Sequence, residues 1–239
     1  MQNKVSDELV LNQIFLERIE SWFAGDLGQR ILHHELALIE DFLAAQTGAH
    51  IGQISVQNKA LFSSSPIENK FFIDVGNKLR SGVAVNPMQL PFADDSIDIL
   101  ISHHFLDFVG SKKSAISELG RVISPAGSLI LIGFNPISLW GLFQFFGRFT
   151  KGPAWSGKYI MPGSQIRWLS SLGFRQHSLR YSVCWRPSLF FKESDEYRVS
   201  LPIGSIYVLI AKKCIDVPRI VKPKWGKRKD LRFGLSAKI

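Results

Sequence analysis

The sequence has only two cysteines, Cys184 and Cys214, among 239 residues. Two thiols make no disulfide framework, so a small cross-linked secreted scaffold is excluded and a reducing, cytoplasmic setting is expected. No apolar run approaches the roughly 20 residues that a helical membrane span requires. The opening MQNKVSDELV lacks a basic region followed by an apolar one, so no secretory leader is expected. Acidic residues are fewer than basic ones, 20 against 29, and the imbalance is local. Residues 219–239 hold eight Lys or Arg against Asp230 alone, which is +7 of the net +9. The body of the chain is therefore nearly neutral. A tail reading KPKWGKRK, with Trp225 inside it, suits phosphate contacts with nucleic acid or an anionic surface, or is simply a solvated end.

What is present is organised around Leu90–Asn135. Two short Ile- and Leu-rich runs, Ile97–Ser102 and Ser128–Gly133, read as strands buried on both faces. Between them Ala115, Leu119, Val122 and Ile123 fall on one helical stripe. Ser111 or Ser114 can cap its start, and Pro125 with Gly127 is expected to close its end. Strand, helix and strand in that order make a right-handed crossover of a parallel sheet.

Leu90-Pro91-Phe92, the acidic turn Asp94-Asp95-Ser96, Asp98 entering a strand, and Glu118-Leu119-Gly120-Arg121-Val122-Ile123-Ser124-Pro125-Ala126-Gly127 resemble the second half of a class I S-adenosylmethionine-dependent methyltransferase. Gly133–Leu142, GFNPISLWGL, resembles a small bacterial branch of that family. The resemblance covers about Gly25 to Lys213. It implies a Rossmann-like α/β fold with a seven-stranded, mostly parallel sheet, helices on both faces and an antiparallel last strand. It also implies S-adenosylmethionine as cofactor and a methyl acceptor, which remains unidentified.

In chain order, residues 6–46 read as two helices broken at Gly25. Asp26 with Gln29 suits a capping box, Leu27, Ile31, Leu32, Leu36, Ile39 and Leu43 mark an inner face, and Gly48 suits a left-handed end. His33 and His34 are adjacent on this helix and diverge, a poor metal pair. The organisation expected is N-terminal helices over 1–47, a methyltransferase-like domain over 48–215 and a basic tail over 216–239.

The stretch HIGQISVQNK, His50–Lys59, stands where the family has its first strand and glycine-rich turn. There glycines let the backbone adopt positive φ close to the cofactor, and the next helix presents its N–H groups. Gln53 stands where an acid is usual, and Ser55, Gln57 and Lys59 stand in place of the three glycines. Gly52 reaches the motif only by a one-residue shift. Either the turn takes another shape or the cofactor sits differently. The polar segment Lys59–Asn69, interrupted by Pro66, predicts a short or irregular helix.

By resemblance, Asp74 at the end of the next strand is the ribose-binding candidate, nineteen positions after Ser55; a turn-forming role is the alternative. Gly82–Val85 reads as a third strand. Asn86, followed by Pro87, stands where an acid commonly accepts from the adenine amino group, and its amide keeps an acceptor oxygen. Ser102, His103 and His104 lie at the carboxyl end of the fourth strand, where open α/β sheets bind ligands. His103 is the candidate general base, with Ser102, Ser55 and Gly52 completing the cofactor set. No cysteine or acid lies at ligand spacing from the histidines, so no metal is expected. Asp94, Asp95 and Asp98 are expected to shape a turn rather than to catalyse.

Asn135-Pro136 follows the fifth strand, not the fourth, so it is not the amino-group-gripping turn of some methyltransferases. The aromatic stretch Trp140–Phe149 suits an apolar acceptor pocket, a partner surface or burial. Pro162–Leu172 reads as a helix capped by Ser164 and ended by Gly173. Phe174–Tyr181 and Ser205–Ala211 read as the last two strands, and Cys184 and Trp185 as packing residues. Three functions remain open: methyl transfer, a non-catalytic binding module on the same fold, and nucleic-acid association through the tail.

Overall fold

A computed structural model describes residues 13–75, 83–86, 88–138, 157–182, 198–199 and 204–215. The least interrupted apolar runs form the central strands β1 (His50–Ser55), β4 (Ile97–His103) and β5 (Ile123–Phe134), each mostly buried. β2 (Asn69–Val75) and β3 (Val83–Val85) extend the parallel half. β6 (Phe174–Ser182), β7 (Arg198–Val199) and β8 (Ile206–Lys213) form the antiparallel half, with β8 inserted between β5 and β6. The order is β3-β2-β1-β4-β5-β8-β6-β7. The mixed sheet expected from sequence is therefore present, with eight strands among the described residues in place of seven. The added member is the two-residue edge strand β7, too short to leave a period in the sequence.

Five helices are described: α1 (Gln13–Ala24), α2 (Asp26–Ala44), α3 (Phe105–Phe108), α4 (Lys112–Val122) and α5 (Pro162–Ser171). α2 and α5 cover opposite faces of the sheet. Arg180 Nη1 donates to the Leu38 carbonyl of α2 at 3.2 Å, while Gln165 Nε2 of α5 donates to the Tyr207 hydroxyl at 2.5 Å. Arg180 is registered with Val208, one residue from Tyr207, and successive strand residues point to opposite faces.

Several local expectations are corrected. Gly25, not Asp26, occupies the cap of α2, and Gln29 Nε2 donates back to the Phe23 carbonyl at 2.8 Å instead of closing a capping box. α2 ends at Ala44, with Ala45 as a right-handed cap. Gly48 serves a close approach, since a Cβ there would stand 2.8 Å from Asp98 Cβ. Pro125 and Gly127 do not end α4. The chain turns extended at Ile123, and both lie inside β5, where Ala126 takes a φ of 65° beside a register shift. Met161 precedes α5 with Pro162 in the first turn, whereas Gly173, at φ 81°, ends it as expected.

The residues carrying the family resemblance form a clasp. Arg121 donates to the carbonyls of Leu90 at 3.1 Å and Phe92 at 3.0 Å, and pairs with Glu118 and Asp94. Glu118 Oε1 accepts the Leu90 N–H at 2.7 Å. The loop before β4 is thus bound onto α4, which makes the motif architectural.

Asp98 ties the start of β1 to β4 and β5. Its Oδ2 accepts the N–H groups of Ala49 at 2.7 Å and His50 at 3.0 Å, and its Oδ1 accepts from Ser124 at 3.0 Å. Partial burial pushes the carboxyl up, but these donors outweigh it and hold it below its ordinary value. A depressed folded-state value gives stability that is present above the unfolded value and lost as pH falls through the folded one. Asp98→Asn should therefore cost about 1 kcal/mol at neutral pH, the partly exposed setting discounting the charge. The cost should shrink away as pH falls through the lowered folded-state value in urea titrations; a pH-independent difference would refute it.

Candidate active site

The carboxyl ends of β1, β2 and β4 meet at one rim. Ser55 pairs with His103 across β1 and β4, and one step beyond the Ile54–Ile73 pair Ser55 stands level with Asp74. Paired residues of parallel strands face the same way, so Ser55, Asp74 and His103 form one row on a single face. Ser102 points to the other face. Its hydroxyl is buried and has no hydrogen-bond partner among the described residues. Asp74 is almost buried, and its strand neighbour Ala84 leads to Asn86. Asn86 is exposed, bridges to Gln89, and accepts the Met88 N–H at 3.0 Å through Oδ1. Pro87 lies outside the described residues.

Gly52 does not belong to this rim. It sits inside β1 between Phe71 and Leu100, where a Cβ would stand 2.9 Å from the Phe71 ring and 3.2 Å from Leu100. It is a packing glycine.

The turn after β1 is closed by its own glutamines. Gln53 and Gln57 are both buried, and each Nε2 donates to the Lys59 carbonyl, at 2.9 and 3.0 Å. Gln53 Oε1 accepts the Leu61 N–H at 2.8 Å, Gln57 Oε1 accepts the Lys59 N–H, and Ser55 Oγ accepts the Gln57 N–H at 3.1 Å. Backbone donors that a glycine-rich turn would offer to a ligand are thus satisfied by side chains. No helix follows: residues 56–68 return to β2 through turns alone, so no helix N-terminus faces the rim there.

His103 and His104 end in a buried ionic chain. His103 Nδ1 meets Ser55 Oγ at 2.9 Å and His103 Nε2 meets Glu35 Oε2 at 2.9 Å. His104 Nε2 meets Glu35 Oε1 at 2.7 Å and His104 Nδ1 meets Asp107 Oδ2 at 2.9 Å. Asp107 Oδ2 also accepts the Phe134 N–H at 3.1 Å. Burial pushes Glu35 up, but the two histidines prevail and hold it down at about 2. Burial pushes His104 down, but Glu35 and Asp107 prevail and raise it to about 9, so its imidazolium donates from both nitrogens. For His103 burial prevails over Glu35 and lowers it, leaving a neutral ring that donates through Nε2 and accepts the Ser55 hydroxyl at Nδ1.

His103 therefore occupies a different place from that of a base open to an acceptor. It has no exposed surface, and both ring nitrogens are engaged. The residue that the sequence reading missed is Glu35. It falls on the buried stripe Gly28, Ile31, Leu32, Glu35, Leu38, Ile39, Phe42 and Leu43, and the signal was a lone acid at a core position. Asn135 is structural: Nδ2 donates to the Gly204 carbonyl at 2.8 Å and Oδ1 accepts from Ile137 at 3.1 Å. The aromatic segment 140–149, Cys184, Trp185 and the basic tail lie outside the described residues.

A family model described as a methyltransferase domain matches residues 64–131, from just before β2 into β5. The structure is similar to that of an S-adenosylmethionine-dependent methyltransferase of Thermotoga maritima, described as a possible histamine N-methyltransferase. The TM-score is 0.62 at 16% identity, over 83% of this chain and 96% of that one. The fold is that of the class I methyltransferases. Two curated relatives extend the comparison. The uncharacterized protein YafS of Escherichia coli is 33% identical over 102 residues, 42% of each chain. The demethylmenaquinone methyltransferase of Bacillus velezensis is 31% identical over 77 residues, 32% of this chain and 30% of that one. The matches thus span less than half of these curated relatives' length. Among the described residues, no helix is long and apolar enough to cross a membrane.

Proposed function

We propose that this chain is an S-adenosylmethionine-dependent methyltransferase that holds its cofactor chiefly by the nucleoside end and acts on an acceptor still to be identified. The observation that carries the reading is the extent of the family match: residues 64–131 are the part of the fold that supplies Asp74 and Asn86. In this reading Asp74 accepts from the ribose hydroxyls, and the Asn86 amide accepts from the adenine amino group. The residues fit the cofactor unevenly. The rim offers a carboxylate and an amide to the nucleoside, while the glutamine-closed turn offers few donors to the methionine end. A bound S-adenosylmethionine would supply an activated methyl group on sulfonium. The chain's own contribution would be orientation and exclusion of water, for which no buried base is needed.

Calorimetric titration tests this directly. S-adenosylmethionine and the bare thioether nucleoside, 5′-methylthioadenosine, should bind within about an order of magnitude of each other, because the amino-acid end adds little. Asp74→Ala should weaken both by at least about tenfold, the loss of a charge-assisted hydrogen bond. The absence of both heat and thermal shift at millimolar ligand would remove the reading.

The closed turn favours a second reading, in which the sheet is kept as a binding module without methyl transfer. An absence of cofactor binding together with an intact fold would select it. Salt-dependent RNA or DNA binding that disappears on deletion of residues 219–239 would add a role for the basic tail.

A further inference from the structure

We propose that Glu35, His103 and His104 form a binding site for one zinc-class divalent cation, with the histidine Nε2 atoms and the Glu35 carboxylate as ligands and with Asp107 and Ser55 orienting the rings. The nitrogen and oxygen ligand atoms of these three residues all lie within 4.8 Å of one another, and all three side chains are fully buried.

Three observations support a cation there. Successive residues leaving a strand ordinarily point apart, yet His104 adopts a left-handed φ of 50°, and the two rings come to 4.7 Å with both Nε2 atoms on one carboxylate. A non-glycine residue in that region costs of order 1–3 kcal/mol, so the surroundings must hold it. The second ring nitrogens are also taken up as metal-binding histidines require: His104 Nδ1 by the Asp107 carboxylate and His103 Nδ1 by Ser55. Finally, the donor set of two imidazoles and a carboxylate is one that zinc accepts at about 2.0–2.2 Å per bond.

The present contacts of 2.7 and 2.9 Å between Glu35 and the histidines need to open by about half an ångström to admit such an ion, within reach of side-chain adjustment. On binding, the proton on His104 Nε2 leaves to solvent, and the His103 proton passes from Nε2 to Nδ1, where Ser55 Oγ accepts it. The ion would tie α2 to the ends of β4. This inference does not depend on methyl transfer.

The test uses untagged full-length protein. Elemental analysis after extensive dialysis should give about one zinc per chain. Protein stripped with a strong chelator should regain thermal stability on addition of Zn²⁺ and should take up Co²⁺ with a visible ligand-field spectrum saturating at one equivalent. Glu35→Gln should lower cobalt affinity at least tenfold, whereas His33→Ala, an exposed histidine two residues away on α2, should leave spectrum and affinity unchanged. Should Glu35→Gln fail to fold, the wild-type cobalt spectrum and the chelator-dependent melting temperature decide alone. Substoichiometric metal, no cobalt spectrum and a melting temperature indifferent to chelator would overturn the site. So would a folded Glu35→Gln that binds cobalt as the parent does.

Discussion

Glu35→Ala should unfold at a markedly lower urea concentration than the parent, a loss of about 3–5 kcal/mol, while Glu40→Ala, on the exposed face of the same helix, should change stability by less than about 0.5 kcal/mol. The difference lies in what each carboxylate faces. Glu35 accepts from two buried rings, and its removal leaves the His104 imidazolium with one partner in place of two in a site without water-exposed surface. A buried charge stripped of one of its partners costs more than the contact contributed, because its desolvation is no longer fully offset. The truncation also leaves a cavity between α2 and the sheet. Circular dichroism during urea unfolding measures both variants; equal midpoints would show that the chain from Ser55 to Asp107 does not hold the helices to the rim.

The second large effect is expected at Gly28. A Cβ there would stand 2.4 Å from Phe23 Cα and 2.6 Å from the carbonyl oxygens of Trp22 and Phe23. These are backbone atoms, so no side-chain rotation relieves the contact and α1 must move. Phe23 lies over both histidine rings, with centroids at 5.3 Å from His103 and 5.4 Å from His104. Gly28→Val should therefore cost about 3 kcal/mol and lower the melting temperature by roughly 10 °C. It should also loosen the histidine pair, visible as shifted imidazole resonances. An unchanged melting temperature would mean that α1 packs on α2 less closely than these distances state.

Both predictions concern contacts between segments far apart in the chain, which explains how unevenly the fold and the site could be read in advance. The crossover from β4 through α4 to β5 was legible because each part is a local pattern: apolar runs of strand length, a helical stripe, and the residues that Arg121 clasps. Failures at element ends, such as Gly48 and Gly127, have a common cause. A glycine can be required by a turn or by a neighbour's approach, and only the second applied at these two positions. The candidate site was half legible. Asp74, Asn86 and Ser102 could be placed at strand ends by spacing, whereas the roles of Gln53 and Gln57 depend on a turn that folds back upon itself.

By itself the sequence determined the alternating α/β order, the parallel core and the absence of glycine from the turn after β1, since periodicity and residue type act within a few residues. Only the tertiary structure decided that His103 is enclosed, that Glu35 is its partner 68 residues away, and that the turn after β1 satisfies its own donors. A buried charge is stable only where opposite charges and donors converge on it, and that convergence is a property of packing in three dimensions rather than of any local stretch.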